Sequence, residues 1–172
     1  MRPFFRNIVV ALLAVGFVLL LGCSSSPPPV SAAAFSPAAP PAGWKTVTND
    51  AKTCRLSLPP AWVQPDSDGM WGRMEKGEMA MFIEDPETQQ AGDWGPVHKM
   101  IDKRKGTGAK VEILEESPQR IIFQSPQGSL LAVMSFHRSP RTLCAAQIAV
   151  AAGEPDSQKI ARQIAESLAP AP

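Results

Sequence analysis

The sequence predicts an α+β domain: an antiparallel β-sheet of about six to eight strands, covered by one internal and one C-terminal helix. Three observations predict it. From Gly43 to Leu168 short apolar runs are broken by Pro and Gly, the texture of strands and turns. Helical periodicity occurs in two stretches, one internal and one at the end. No segment recurs at a fixed period, which sets aside solenoids and propellers.

The elements follow in order. Trp44–Val47 and Cys54–Leu58 read as strands around an Asn49-Asp50 turn, and Pro59-Pro60 ends the second. Trp71–Met74 and Glu78–Ile83 flank Glu75-Lys76-Gly77, the signature of a hairpin, and Asp85-Pro86 stops the latter strand. A helix is expected over Asp93–Lys105, where Trp94, Val97, Met100 and Ile101 share a face, Pro96 suits the first turn and Gly106 a C-terminal cap. Val111–Leu114 and Arg120–Gln124 are further strands. Ser125-Pro126-Gln127-Gly128 places Pro second in a tight turn leading to a strand over Ser129–His137. Ser139-Pro140-Arg141 turns the chain into Thr142–Ala151. The closing helix starts near Pro155, Asp156 and Ser157, and Ile160, Ile164 and Leu168 recur every four residues beside Ala161 and Ala165, a stripe that must lie on the sheet.

Ahead of this domain the chain has a different character. Arg2 and Arg6 precede an unbroken run of apolar residues and Gly from Ile8 to Leu21. That run is shorter than the roughly 20 residues needed to span about 30 Å of hydrocarbon, and suits the core of a signal peptide. Leu20-Leu21-Gly22-Cys23 resembles the lipobox of bacterial lipoproteins. The resemblance implies cleavage after Gly22 and lipidation of the Cys23 sulfur, hence a membrane contact through the lipid anchor. Two or three acyl chains hold stably where one would not. Ser24, standing where Asp would favour inner-membrane retention, leans toward the outer membrane of a Gram-negative envelope. The segment 24–42 has six Pro and five Ser and almost no large apolar residue. It reads as a semi-rigid tether reaching at most roughly 60 Å. The expected organisation is thus a signal peptide over 1–22, lipidated Cys and tether over 23–42, one domain over 43–169, and a tail over 170–172.

Charge excludes some partners. The whole chain has 17 Lys and Arg against 16 Asp and Glu, and Arg2 and Arg6 leave with the leader. The mature protein is near neutral, with no overall footprint for nucleic acid or acidic lipid. Tyr is absent and aromatic residues make up 6% of the chain, too few for a broad stacking surface.

Cys54–Trp62 (CRLSLPPAW) resembles the opening of PsbP-like domains, in which a strand, Pro, a small residue and Trp follow one another. Met79–Pro86 (MAMFIEDP) is similar to the central strand that follows there, and Ile160, Ile164 and Ser167-Leu168 to the family's last helix. The resemblance spans roughly residues 43 to 169. It implies an αβα sandwich around an antiparallel sheet, used as a binding or accessory module without catalysis. It supplies no catalytic set to carry over.

With Cys23 lipidated, Cys54 and Cys144 remain in an oxidising compartment and form either a disulfide or two buried thiols. No Cys-x-x-Cys is present to make them reactive. His98 and His137, the chain's two histidines, are expected at the surface or its boundary. No metal site is expected, since H-E-x-x-H, paired Cys-x-x-Cys and carboxylate-rich loops are all missing. Glu84, Asp85 and Glu87 lack the ligand spacing of a calcium loop. Met70, Met74, Met79 and Met81 cluster on a hairpin, where core packing is a simpler account than copper. Gly106–Lys110 precedes a strand instead of a helix and reads as a cap and turn, not a phosphate loop. No G-x-S-x-G occurs. Among Trp44, Trp62, Trp71 and Trp94, the candidates for a partner or ligand contact are Trp71 and Trp94, beside the long connection over Glu84–Asp93.

The expectation is therefore a lipid-anchored cell-envelope protein of non-catalytic binding or accessory type, without cofactor or catalytic residues, contacting an envelope protein partner. The alternatives are an envelope hydrolase or redox enzyme with an unrecognised site, and a purely structural envelope lipoprotein.

Overall fold

The computed structural model describes residues 39–65, 69–84 and 93–172. The leader, Cys23 and most of the tether lie outside the described residues, as do Asp85 and Glu87. Nine strands and two α-helices are described, in the order β1 (Lys45–Thr48), β2 (Cys54–Leu58), β3 (Met70–Arg73), β4 (Glu78–Phe82), α1 (Gly95–Gly106), β5 (Glu112–Glu116), β6 (Arg120–Gln127), β7 (Leu130–Arg138), β8 (Leu143–Ala151), α2 (Pro155–Glu166) and β9 (Ala169–Pro170). All pairings are antiparallel, and the α+β class expected from the sequence holds. The strands divide between two sheets. Six form the main sheet, in the order β3-β4-β8-β7-β6-β5, and three form a smaller one, β1-β2-β9.

Alternation along the central strands explains the layering. On β8, Cys144, Ala146, Ile148 and Val150 join one buried cluster, while Leu143 and Ala145 join another on the opposite face. The first cluster lies under α2 and the small sheet and includes Leu56, Leu58, Trp62, Ile164 and Leu168, each wholly buried. Burying a Leu or Ile side chain this completely stabilises by about 1.5–3 kcal/mol, so the apolar stripe on α2 is what seats that helix. The second cluster lies under α1, through Val97 and Ile101.

Two details depart from the expected elements. Pro126 lies inside β6, paired with Leu131, and the chain turns instead at Gly128 (φ +63°) and Ser129. In a two-residue hairpin the closing pair exchanges hydrogen bonds and the next pair does not, so the missing Pro126 N–H would have pointed away from β7. On that side β5 pairs only as far as Gln124, and no ladder bond is lost. At the end of α1 the left-handed residue is Gly108 (φ +81°), with Thr107 as the cap in place of Gly106. The chain end adds β9, whose Ala169 and Pro170 pair with Arg55 and Cys54.

Gly72 is required by close packing. It pairs with Met79 on one side and exchanges backbone hydrogen bonds with Val63 on the other. A Cβ there would meet the Glu78 carbonyl oxygen at 2.0 Å, well inside contact distance.

Candidate functional site

Two turns meet at one end of the molecule. The first, Asn49–Thr53, joins β1 to β2, and the second, Ser139–Thr142, joins β7 to β8. Cys54 directly follows the first turn and Cys144 lies two residues past the second; both are buried, and they form a disulfide with Cα atoms 5.6 Å apart. Of the two states the sequence left open, the structure holds the bridged one. The bond welds the small sheet to the main sheet at the base of both turns.

Each turn is braced from within. The Asn49 side chain is buried, and its Oδ1 accepts hydrogen bonds from the backbone N–H of Thr53 and of Cys54, both at 2.9 Å. Its Nδ2 donates to Thr53 Oγ1 at 3.2 Å. These bonds hold a loop in which Lys52 takes a left-handed conformation, φ +53°, unusual for a residue with a Cβ. In the second turn Ser139 Oγ accepts from the Thr142 N–H at 3.1 Å.

Between the turns lies a polar cleft of about 250 Å³, lined by Asn49, Thr53, Glu84, Arg141, Thr142 and Leu143 among others. Glu84 and Arg141, both exposed, put opposite charges on its rim without pairing with each other. Asn49 Nδ2 also reaches Glu84 Oε1 at 3.5 Å, so the buried amide ties the acidic rim to the first turn. From the sequence, Asn49 and Arg141 are turn residues and Glu84 is a loop carboxylate without calcium-loop spacing. The Cys54–Cys144 disulfide joins their two turns, a relation that no local sequence signal carries.

The titratable groups with displaced pKa values sit elsewhere, in bracing networks. Glu78 on β4 is wholly buried, and its side chain meets its cross-strand partner Arg73 through two nitrogens, one contact being Nη2 to Oε1 at 2.8 Å. The Ser157 hydroxyl, from the first turn of α2, donates to it at 2.7 Å. Burial pushes the Glu78 pKa up, but the hydrogen bonds from Arg73 and Ser157 outweigh it and hold the carboxyl below its ordinary value. Across the sheet, Arg120 and Ser135 donate to the last carbonyls of α2. His137 adds a bond from Nδ1 to the Leu168 carbonyl oxygen at 3.1 Å, which makes Nδ1 the protonated nitrogen.

That placement corrects the expectation of His137 at the surface or its boundary: it is 6% exposed, because β7 turns it beneath the C-terminal end of α2. Burial lowers its pKa, as does the Arg120 charge; the Leu168 hydrogen bond and Glu115 act the other way without reversing the shift. His98 is exposed as expected, with Nε2 3.1 Å from Glu116 Oε1. Trp71 is not a contact surface. It is 6% exposed and packs edge-on to Phe82, with centroids 5.7 Å apart, because alternation on β3 turns it into the main core. Trp94 is half-buried beneath the Arg138 guanidinium, which lies 5.1 Å from its ring centroid. The Trp94 indole N–H is buried with no hydrogen-bond partner among the described residues. Met70, Met79 and Met81 share the face of the sheet opposite α2, half-buried. Among the described residues no three His, Cys, Asp or Glu side chains converge to hold a metal ion.

Fold and cleft together define a disulfide-braced α+β domain with a polar, charge-rimmed cleft at one end. No family model and no curated protein matches the chain. Among solved structures it is similar to cyanobacterial PsbP (CyanoP) from Synechocystis sp. PCC 6803, with a TM-score of 0.46 and 13% identity over 74% of this chain and 92% of that one. It is also similar to a point mutant of the protein Mog1, with a TM-score of 0.40 and 11% identity over 72% of this chain and 87% of that one.

Proposed function

We propose that this protein is a lipid-anchored binding module of the cell envelope, held through Cys23 and carried on the tether over 23–42 outside the cytoplasm, on the outer membrane in a Gram-negative cell. The observation that carries this reading is the cleft between the two disulfide-joined turns. Its walls are braced by the Asn49 and Ser139 hydrogen bonds, and its inventory is one of recognition: hydroxyls, a carboxylate and a guanidinium. The Thr53 hydroxyl accepts from the Asn49 amide, a group that cannot take up a proton, so it is not activated as a nucleophile. Glu78 and His137, the acid and base whose pKa values are displaced, are spent on bracing the fold. The Cys54–Cys144 bridge supports an oxidising compartment, and Leu20-Leu21-Gly22-Cys23 supports the anchor.

Binding is tested by placing a photo-crosslinking residue at Arg141, on the cleft rim, and separately at Lys159, on the exposed face of α2, in cells expressing the full chain. The reading expects one adduct of defined mass from position 141 and none from position 159. Adducts from both positions alike, or from neither, contradict it. Thiol counting on protein purified from membranes supplies the chemical half of the test. No thiol should be free before reduction and Cys54 and Cys144 alone after it; a reactive Cys23 contradicts the anchor.

A further inference from the structure

The near-neutral balance of the chain hides a strong segregation of charge. Gly95–Lys110, which is α1 and the turn after it, carries Lys99, Lys103, Arg104, Lys105 and Lys110 against Asp102 alone. The rest of the chain beyond residue 22 has ten Lys and Arg against fifteen Asp and Glu. This segment is therefore cationic on an otherwise acidic body.

Val97 and Ile101 bury one side of α1; Lys99 and Lys103 stand on the side away from it together with Asp102, Lys105 is exposed on the His98 flank, Lys110 is exposed beyond the helix, and Arg104, seven residues after Val97, is half-buried. None of the five cations forms an ion pair among the described residues. Glu116, which meets His98 at the flank of the helix, marks the border of the face. Compensation of the helix dipole accounts for Lys103, Arg104 and Lys105 in the last turn. It does not account for Lys99, a turn earlier; Lys110, beyond the helix, instead lines a small cleft with Glu112 and Gln124. Lys99 and Lys103 stand four residues apart, a like-charge spacing that Asp102, three residues after Lys99, offsets in part.

We propose that the exposed face of α1 docks on the anionic phospholipid headgroups of the membrane that holds the chain. This rests on the lipid-anchor reading above. A domain tethered within roughly 60 Å of a bilayer meets its headgroups at high effective concentration. The cations on α1 are drawn to surface phosphates within a Debye length of about 10 Å, while the acidic body is repelled, which fixes which side faces the lipid. Anchor and basic face would then act as two membrane signals, one for attachment and one for orientation.

The test uses the mature lipidated protein on vesicles of phosphatidylcholine with or without phosphatidylglycerol. Amine acylation is read lysine by lysine by mass spectrometry. Labelling of Lys99, Lys103 and Lys105 should fall at least about threefold when the anionic lipid is present and recover in high salt. Lys45, Lys52 and Lys159 should be unchanged. The exposed-site variant Lys99→Gln/Lys103→Gln should weaken the protection of Lys105. Equal labelling on both vesicle types overturns the proposal, and if the protein floats with both, the anchor reading survives. Protein that floats only with the anionic vesicles overturns the anchor and upholds the basic face.

Discussion

Arg120 on β6 donates from Nη1 to the carbonyl oxygen of Glu166 at 2.9 Å while its Nε and Nη2 grip the Glu115 carboxylate at 2.8 and 2.7 Å. One guanidinium thus fastens the main sheet to the last turn of α2, where carbonyls have no partner within the helix. The same end of α2 is served by Ser135, which donates to Ala165 at 2.7 Å, and by Ser167, whose hydroxyl accepts the Ser57 N–H at 2.9 Å. The helix that covers the core is held by its apolar stripe along one side and by these polar contacts at its end.

Arg120→Met should cost about 2–4 kcal/mol, because it leaves a half-buried carboxylate and a helix-terminal carbonyl unmatched. Urea unfolding with the disulfide intact measures this. Arg120→Lys should recover only part of the loss, since an ammonium cannot reproduce the forked contact. A loss under about 0.5 kcal/mol, the range of an ordinary surface change, would remove the clamp from the account.

His137 gives the fold a pH dependence of defined sign. Its folded pKa lies below the ordinary 6.5, so the unfolded chain binds the proton more readily. The contribution is therefore fully present above 6.5 and is lost as pH falls from there toward the folded value. Unfolding free energy should decline over that window, and His137→Gln should flatten the decline. Glu78 acts lower on the scale: its lowered pKa contributes stability that disappears only as pH falls below its ordinary 4.5. A His137→Gln protein with an unchanged pH profile would contradict the assignment.

Gly72→Ala should destabilise sharply, by about 3 kcal/mol or more, since the new methyl meets backbone on a strand held from both sides. Gly77→Ala offers the contrast: nothing lies near its Cβ, and the cost is that of a left-handed residue alone, about 1 kcal/mol. Thermal unfolding of the two variants side by side checks the ordering.

Much of the fold was legible in the sequence because the central strands carry uninterrupted apolar patterns. Cys54–Leu58 was read at its observed bounds, and Leu143–Ala151 within one residue. The helix over Pro155–Glu166 announced itself through Ile160, Ile164 and Leu168. Pro126 was misread because a strand tolerates Pro where its neighbour has already ended, and the end of β5 is a tertiary fact. Trp71 and His137 were misplaced for a related reason: local pattern shows that side chains alternate on a strand, not which face a helix will cover. The cleft was the least legible. Asn49 and Arg141 are separated by most of the domain, and it takes the packing of the two sheets and the pairing of Cys54 with Cys144 to make them neighbours.

Reduction tests that pairing. A cross-link closing 90 residues contributes up to about 4.6 kcal/mol by chain entropy. Reductant, or the double variant Cys54→Ala/Cys144→Ala, should lower the urea midpoint accordingly and loosen the Asn49–Thr53 turn first, raising amide exchange at Thr53 and Cys54. Unchanged exchange there in the double variant would mean that the turn stands without the bond.

The central claim, that the domain is displayed outside the cytoplasm on a lipid at Cys23, is tested most directly by the intact mass and membrane partition of Cys23→Ser beside the parent chain. The account predicts a parent protein that begins at residue 23, carries acyl chains and floats with membranes, and a variant without acyl mass that does not remain as the processed, membrane-bound form. A Cys23→Ser protein that is cut after Gly22 and floats as the parent does would contradict it.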